Sequence, residues 1–190
     1  MKKLLLMLIP LFSGVLKAQT IKHQQVVKYP CYTSYWNSKT LIPDSVIWVA
    51  SPHAKIVGRE AGFHSTGGRI NQAKDYAHSG FDIGHDCDAS DENGNKLDEY
   101  NSFDYANAMP EKPNLNRLVW LALENYTRKL NTHVRVKVSY RATLGTLGID
   151  RITIPAICIK ELWYNGKHER YEMPNVDSVS KHNFTFYRKK

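Results

Sequence analysis

The sequence predicts an α+β fold in which a mostly antiparallel sheet is flanked by helices. Three observations carry this. Candidate strands outnumber candidate helices, and no regular strand–helix–strand alternation runs along the chain. The clearest strand, His133 to Tyr140, has the period-2 pattern of a sheet with one wet face. Val134, Val136, Val138 and Tyr140 face one way, while His133, Arg135, Lys137 and Ser139 face the other. At 190 residues the chain is long enough for one domain, or a domain with a tail. Its 42% apolar content argues against a mostly disordered protein.

The first segment reads as an address. Met1-Lys2-Lys3 is positive, Leu4 to Leu16 is the only long apolar run, and Ala18 is a small residue before a cleavage point. This is the pattern of a secretory signal peptide. The run has 13 residues, and a spanning helix needs about 20, so no stable membrane insertion is expected after cleavage. Residues 1–18 are therefore expected to be a signal peptide and residues 19–190 a single domain, exported to the periplasm or secreted. Loss of Lys2, Lys3 and Lys17 lowers the net charge from +8 to +5. That charge suits an anionic partner such as nucleic acid, and serves solubility equally. An oxidising compartment permits one disulfide among Cys31, Cys87 and Cys158, with all three pairings open. No two of them are close enough in sequence for a zinc site.

Along the chain, residues 19–44 are polar and turn-rich, with Pro30 and Pro43. The β-branched stretch Val46 to Ala50 reads as a strand, and Lys55 to Arg59 as a second. Gly62 to Asn71 reads as loop. Phe81 to His85 is a short strand running into a turn. Asp86 to Asn101 is an acidic turn tract containing Asn93-Gly94-Asn95. It is not a calcium loop: the required glycine position falls on Lys96 counting from Asp91, and on Asn93 counting from Asp88. Asn114 to Leu130 is the best helix, with Leu115, Leu118, Val119, Ala122, Leu123, Tyr126 and Leu130 at helical spacing. Arg151 to Leu162 and Asn183 to Tyr187 read as strands.

Two segments carry the chemistry. One is Asp82-Ile83-Gly84-His85. The other runs from Asn107-Ala108-Met109-Pro110-Glu111 to Asn116-Arg117, Trp120 and Glu124. Together they resemble the DNA/RNA non-specific endonuclease family, whose core reads Asp-Arg-Gly-His, then Asn-x-x-Pro-Gln, then an Asn-bearing helix with Trp and Glu. Two positions depart: Ile83 stands for Arg and Glu111 for Gln. Neither is the family's base or metal ligand. Arg59 and Phe63 resemble the upstream segment, and Ile152 to Pro155 with Lys160 the strand after the helix. The likeness covers roughly residues 45–165, and its specificity lies in the order and spacing of the set.

The resemblance implies a ββα-metal nuclease core and a metal-dependent endonuclease acting on DNA and RNA with little sequence selectivity. It implies Mg²⁺ as cofactor, with Mn²⁺ as a substitute. His85 would be the general base, Asn116 the metal ligand, and Glu124 the group that orients metal-bound water. Arg59 would clamp a phosphate, and Asn107 and Arg117 would contact substrate, with Asn107 also supporting the site. DNA and RNA are the expected partners; on an inhibitor protein guarding the producing cell the residues are silent.

The chemistry agrees with these assignments. Phosphodiester hydrolysis needs a base for the attacking water and positive charge on the phosphoryl and leaving oxygens. A histidine near neutral pKa suits the first. Mg²⁺ prefers oxygen ligands and keeps most of its waters, so one Asn oxygen can be its only direct protein ligand. Gly84 before His85 would let the backbone turn and a phosphate approach. Each residue also has an ordinary use: Asn116 as a helix cap, Glu124 as an i+4 partner of Arg128, Arg59 as surface charge. Conjunction in order and spacing favours the nuclease reading. The alternative is a catalytically degenerate nucleic-acid or polyanion-binding protein, for which Ile83 and Glu111 speak. A zinc hydrolase lacks a His pair at i, i+4.

Overall fold

The computed structural model describes residues 23–50, 62–91 and 95–190. The expected signal peptide, the strand expected at Lys55 to Arg59, Arg59 itself and the Asn93-Gly94 step lie outside those residues. Seven strands form one antiparallel sheet in the order β1-β2-β3-β6-β7-β8-β9. They are β1 (Gln24–Lys28), β2 (Tyr32–Asn37), β3 (Ile42–Ala50), β6 (Val134–Leu147), β7 (Ile152–Tyr164), β8 (Lys167–Pro174) and β9 (Arg188–Lys189). A separate two-stranded ribbon pairs β4 (Asp82–His85) with β5 (Ala108–Glu111). The helices are α1 (Ala73–Tyr76), α2 (Lys96–Ser102) and α3 (Leu121–Lys129), the last entered through a π-helical stretch, Leu115–Trp120. Among the described residues no helix is long and apolar enough to cross a membrane.

The alternation expected for β6 is present: Val134, Val136 and Val138 are buried and Arg135 is exposed. Together with Trp48 of β3 and Ile152, Ile154, Cys158 and Leu162 of β7 they form the sheet's side of the core. Leu115, Val119, Trp120 and Leu123 of the long helical segment supply the other side. Each such side chain contributes about 1.5–3 kcal/mol by leaving water. Asn175, wholly buried, ties the ribbon to the sheet: it accepts from Lys112 N at 2.7 Å and donates to the carbonyls of Pro110 (2.8 Å) and Pro155 (3.0 Å).

Three expectations are corrected. The described part of the tract read as turn-rich, residues 23–44, is not mainly turn, because β1 and β2 lie there and β3 starts at Ile42. In β2 the inward positions are Tyr32, Ser34 and Trp36; Ser34 is polar yet buried, its hydroxyl donating to Ala106 O, which hid the period. The acidic tract contains α2, whose N-cap Asn95 accepts from Asp98 N at 2.8 Å. Asn183 to Tyr187 is not a strand: Asn183 Oδ1 accepts from Thr185 N at 3.1 Å, folding Phe184–Tyr187 into a 3₁₀ turn. Cys87 and Cys158 are buried in the core and Cys31 is half-buried.

Candidate active site

The β4–β5 ribbon brings the two motif segments together, with Asp82 opposite Glu111, Gly84 opposite Met109 and His85 opposite Ala108. Gly84 is needed here for space, not for the turn or phosphate approach expected. A Cβ at this position would lie 2.5 Å from Glu111 Cδ and 2.6 Å from its Cγ and Oε2. His85 closes the strand. Its ring packs 4.6 Å from Phe63 and edge-on to Phe103 at 4.7 Å, so two aromatic walls fix its plane.

Asn107 has no exposure. Its Oδ1 accepts from Cys87 N at 2.8 Å, and its Nδ2 donates to the carbonyls of Cys87 (2.9 Å) and Ser102 (2.8 Å). Every side-chain polar atom is spent on backbone, two of these bonds just beyond His85. In this structure Asn107 braces the segment beyond His85, the supporting role expected for it beside substrate contact.

Asn116 and Arg117 sit in the π-helical stretch, a geometry that recurs at functional sites. Asn116 is not the cap, since Asn114 holds that position. Its Nδ2 donates to Asp82 Oδ2 at 3.0 Å, which leaves the carbonyl oxygen Oδ1 as a donor atom for a ligand. Arg117 grips the same carboxylate, Nε to Oδ2 at 2.7 Å and Nη2 to Oδ1 at 2.6 Å. Burial works to raise the Asp82 pKa, but the hydrogen bonds from Arg117 and Asn116 and the Arg117 charge outweigh it, and the net shift is downward. Arg117, expected at the substrate, is thus already engaged by Asp82, though its side chain remains largely exposed at the rim.

His85, Asn116, Arg117 and Glu124 line one cavity of about 350 Å³, with Phe63, Ile83 and Leu121 among its apolar walls. Glu124 lies one helical stretch beyond Asn116 and is largely buried. Glu124 Oε1 lies 3.6 Å from Lys160 Nζ, while Arg128, four residues on, pairs with Asp88 and with Asp91 (3.4 Å).

The core also holds buried ionisable groups, Asp86, Glu111 and Lys160, whose inward placement the sequence does not announce. Burial lifts the Asp86 carboxyl pKa to about 8, with Lys160 opposing. Burial, then the charges of Asp86 and Glu124, push Glu111 well above the carboxylate range. Burial thus favours the neutral form of Glu111, which stands where the family pattern has Gln. Asp86, Glu111 and Lys160 are fully or almost fully enclosed. The residue types were visible in the chain; their inward direction depends on tertiary packing.

The donor set fits a hydrated Mg²⁺. One amide oxygen on Asn116 and a carboxylate on Glu124 border the same space. Among the described residues no group of three or more His, Cys, Asp or Glu is placed to hold a metal. The arrangement suits an ion that keeps most of its waters, not one caged by protein.

Comparison with known proteins agrees with this geometry. The family model for DNA/RNA non-specific endonuclease matches residues 17–186. No curated protein matches the chain in sequence. Among solved structures the chain is similar to one described as the crystal structure of the EndoG/EndoGI complex and the mechanism of EndoG inhibition. The TM-score is 0.77 at 19% identity, over 87% of this chain and 80% of that one. At that identity the likeness establishes a shared fold.

Proposed function

The chain belongs to the DNA/RNA non-specific endonuclease family and is a nuclease that hydrolyses phosphodiester bonds; from this we propose that it is an exported, Mg²⁺-dependent endonuclease. The observation that carries the reading is one cavity shared by His85, Asn116 and Glu124.

In this reading an imidazole nitrogen of His85 takes the proton of the attacking water, with Phe63 and Phe103 holding the ring in place. Asp82 pins the Asn116 amide so that its oxygen faces a ligand. Glu124, which lines the same cavity, orients water there. Arg59, upstream, clamps a phosphate oxygen. A bound hydrated Mg²⁺, or Mn²⁺ in its place, supplies Lewis-acid stabilisation of charge on the phosphate and leaving oxygen. Selectivity for base sequence is low because phosphate-centred contacts carry little base information. Export rests on the basic start, apolar run and Ala18 of the N-terminus. The EndoG neighbour was solved with EndoGI, and a protein inhibitor is a partner we propose here too.

Plasmid digestion by the mature protein tests this. Cleavage should stop with EDTA and return with excess Mg²⁺ or Mn²⁺. Binding with a salt slope but no metal-dependent products would favour the degenerate binding protein instead.

A further inference from the structure

We infer that Lys160 is a positioning residue for the reaction, a buried cation that holds the Glu124 carboxylate at the wall of the catalytic cavity. The inference rests on the catalytic reading of Glu124 given above.

Lys160 sits on β7, paired across the ladder with Val138 and Tyr171, and its side chain points into the core with 1% exposure. A lysine is almost never enclosed to this degree unless something answers its charge. Two aromatic faces do part of this: Nζ lies 4.4 Å from the Trp120 ring centroid and 5.6 Å from that of Trp48. The remainder falls to carboxylates. Four acidic groups feel the Lys160 charge or touch it: Asp86, Asp91, Glu111 and Glu124.

Three of the four are poor counter-ions. Asp91 is already engaged by Trp48 Nε1 at 3.0 Å and by Arg128. Asp86 and Glu111 are enclosed, and burial favours their neutral forms. Glu124 remains, with Oε1 at 3.6 Å from Nζ. It also differs in place: Glu124 lines the catalytic cavity, whereas Lys160 is not among the residues that line it. Lys160 therefore meets the carboxylate from the core side while the carboxylate meets the cavity from the other. Without the lysine, Glu124 would lose the charge that meets its carboxylate from the core side.

A double-mutant cycle on the full mature protein tests this. The variants are Lys160→Met, Lys160→Arg, Glu124→Gln and both combinations. The readouts are kcat and KM on plasmid DNA, the Mg²⁺ concentration for half-maximal rate, and Mn²⁺ binding followed by electron paramagnetic resonance without DNA. Lys160→Met should lower kcat at least tenfold, raise the half-maximal Mg²⁺ concentration several-fold and weaken Mn²⁺ binding, with KM for DNA changed less than twofold. Lys160→Arg keeps the charge and should recover part of each loss. In the Glu124→Gln background neither Lys160 change should alter kcat by more than twofold. If Lys160→Met does not fold, the Arg arm of the cycle decides alone. Losses that multiply in the double variants, or a folded Lys160→Met with unchanged kcat and Mn²⁺ affinity, overturn the inference while wild type still cuts DNA. A wild-type protein that neither cuts DNA nor binds Mn²⁺ sinks the catalytic reading, and this inference with it.

Discussion

Replacing Asp86 with Asn should stabilise the protein, and should do so more at pH 8 than at pH 5. The carboxyl is buried, and burial lifts its pKa from 3.8 to about 8 against the pull of Lys160. A carboxyl with a raised folded pKa keeps its proton in the native state and releases it on unfolding. Its contribution to stability is therefore whole below pH 4 and is lost as pH rises toward the folded pKa. The loss is about 1.4 kcal/mol per pH unit between the two values. By pH 5 the cost is on the order of 1.5 kcal/mol, and by pH 7 on the order of 4 kcal/mol. Asparagine has nearly the same shape and no proton to release, so Asp86→Asn removes the cost. Urea unfolding at pH 5, 7 and 8 measures the difference directly. The melting temperature at pH 7 should rise by roughly 10 °C, at about 2–4 °C per kcal/mol for a domain of this size. A gain independent of pH, or a variant less stable than wild type at pH 7, would refute the assignment of a buried neutral Asp86.

Further expectations concern the packing and the ligand side of the site. Gly84→Ala places a Cβ 2.5 Å from the enclosed Glu111 side chain. It should cost about 1–3 kcal/mol, seen as a melting temperature lower by several degrees, and Glu111→Ser in the same chain should restore part of it. Asn107→Ala strands Cys87 N and the carbonyls of Cys87 and Ser102. It should cost about 2–4 kcal/mol and lower kcat more than it raises KM, because the segment beyond His85 loosens. Asn116→Ala should raise the Mg²⁺ requirement and lower the rate with little change in melting temperature. Asn116→Asp should keep or tighten Mg²⁺ binding while slowing turnover; a lowered melting point with unchanged metal dependence would make Asn116 purely structural.

What could be read in the sequence were elements with strong local pattern. The Val134-Val136-Val138 alternation and the helical spacing from Leu115 to Leu130 each state which face is buried. The resemblance of the motifs, in order and spacing, to those of the DNA/RNA non-specific endonuclease family also brought Asp82, His85, Asn116 and Glu124 forward. Other parts were illegible for physical reasons. Ser34 at an inward position broke the period of β2, and its hydrogen bond to Ala106 is a tertiary fact. β8 reads as charged, yet its inward Glu169 is satisfied by Tyr126, Tyr164, Tyr171 and Arg188. The inward direction of Lys160 cannot be read from its strand alone, because its place between Trp48 and Trp120 depends on three separate segments. Gly84 was rightly singled out for the wrong reason. Its missing Cβ makes room for Glu111, a residue 27 positions away.

The central claim is that His85 is the base of a phosphodiester hydrolase. Its most direct test is the rate of plasmid cleavage by mature His85→Ala at saturating Mg²⁺, beside wild type with a matched circular dichroism spectrum and melting temperature. Loss of a general base lowers rate by about 10²–10⁴-fold, and the variant should fall in that range. A folded His85→Ala that cuts plasmid at the wild-type rate would contradict the claim.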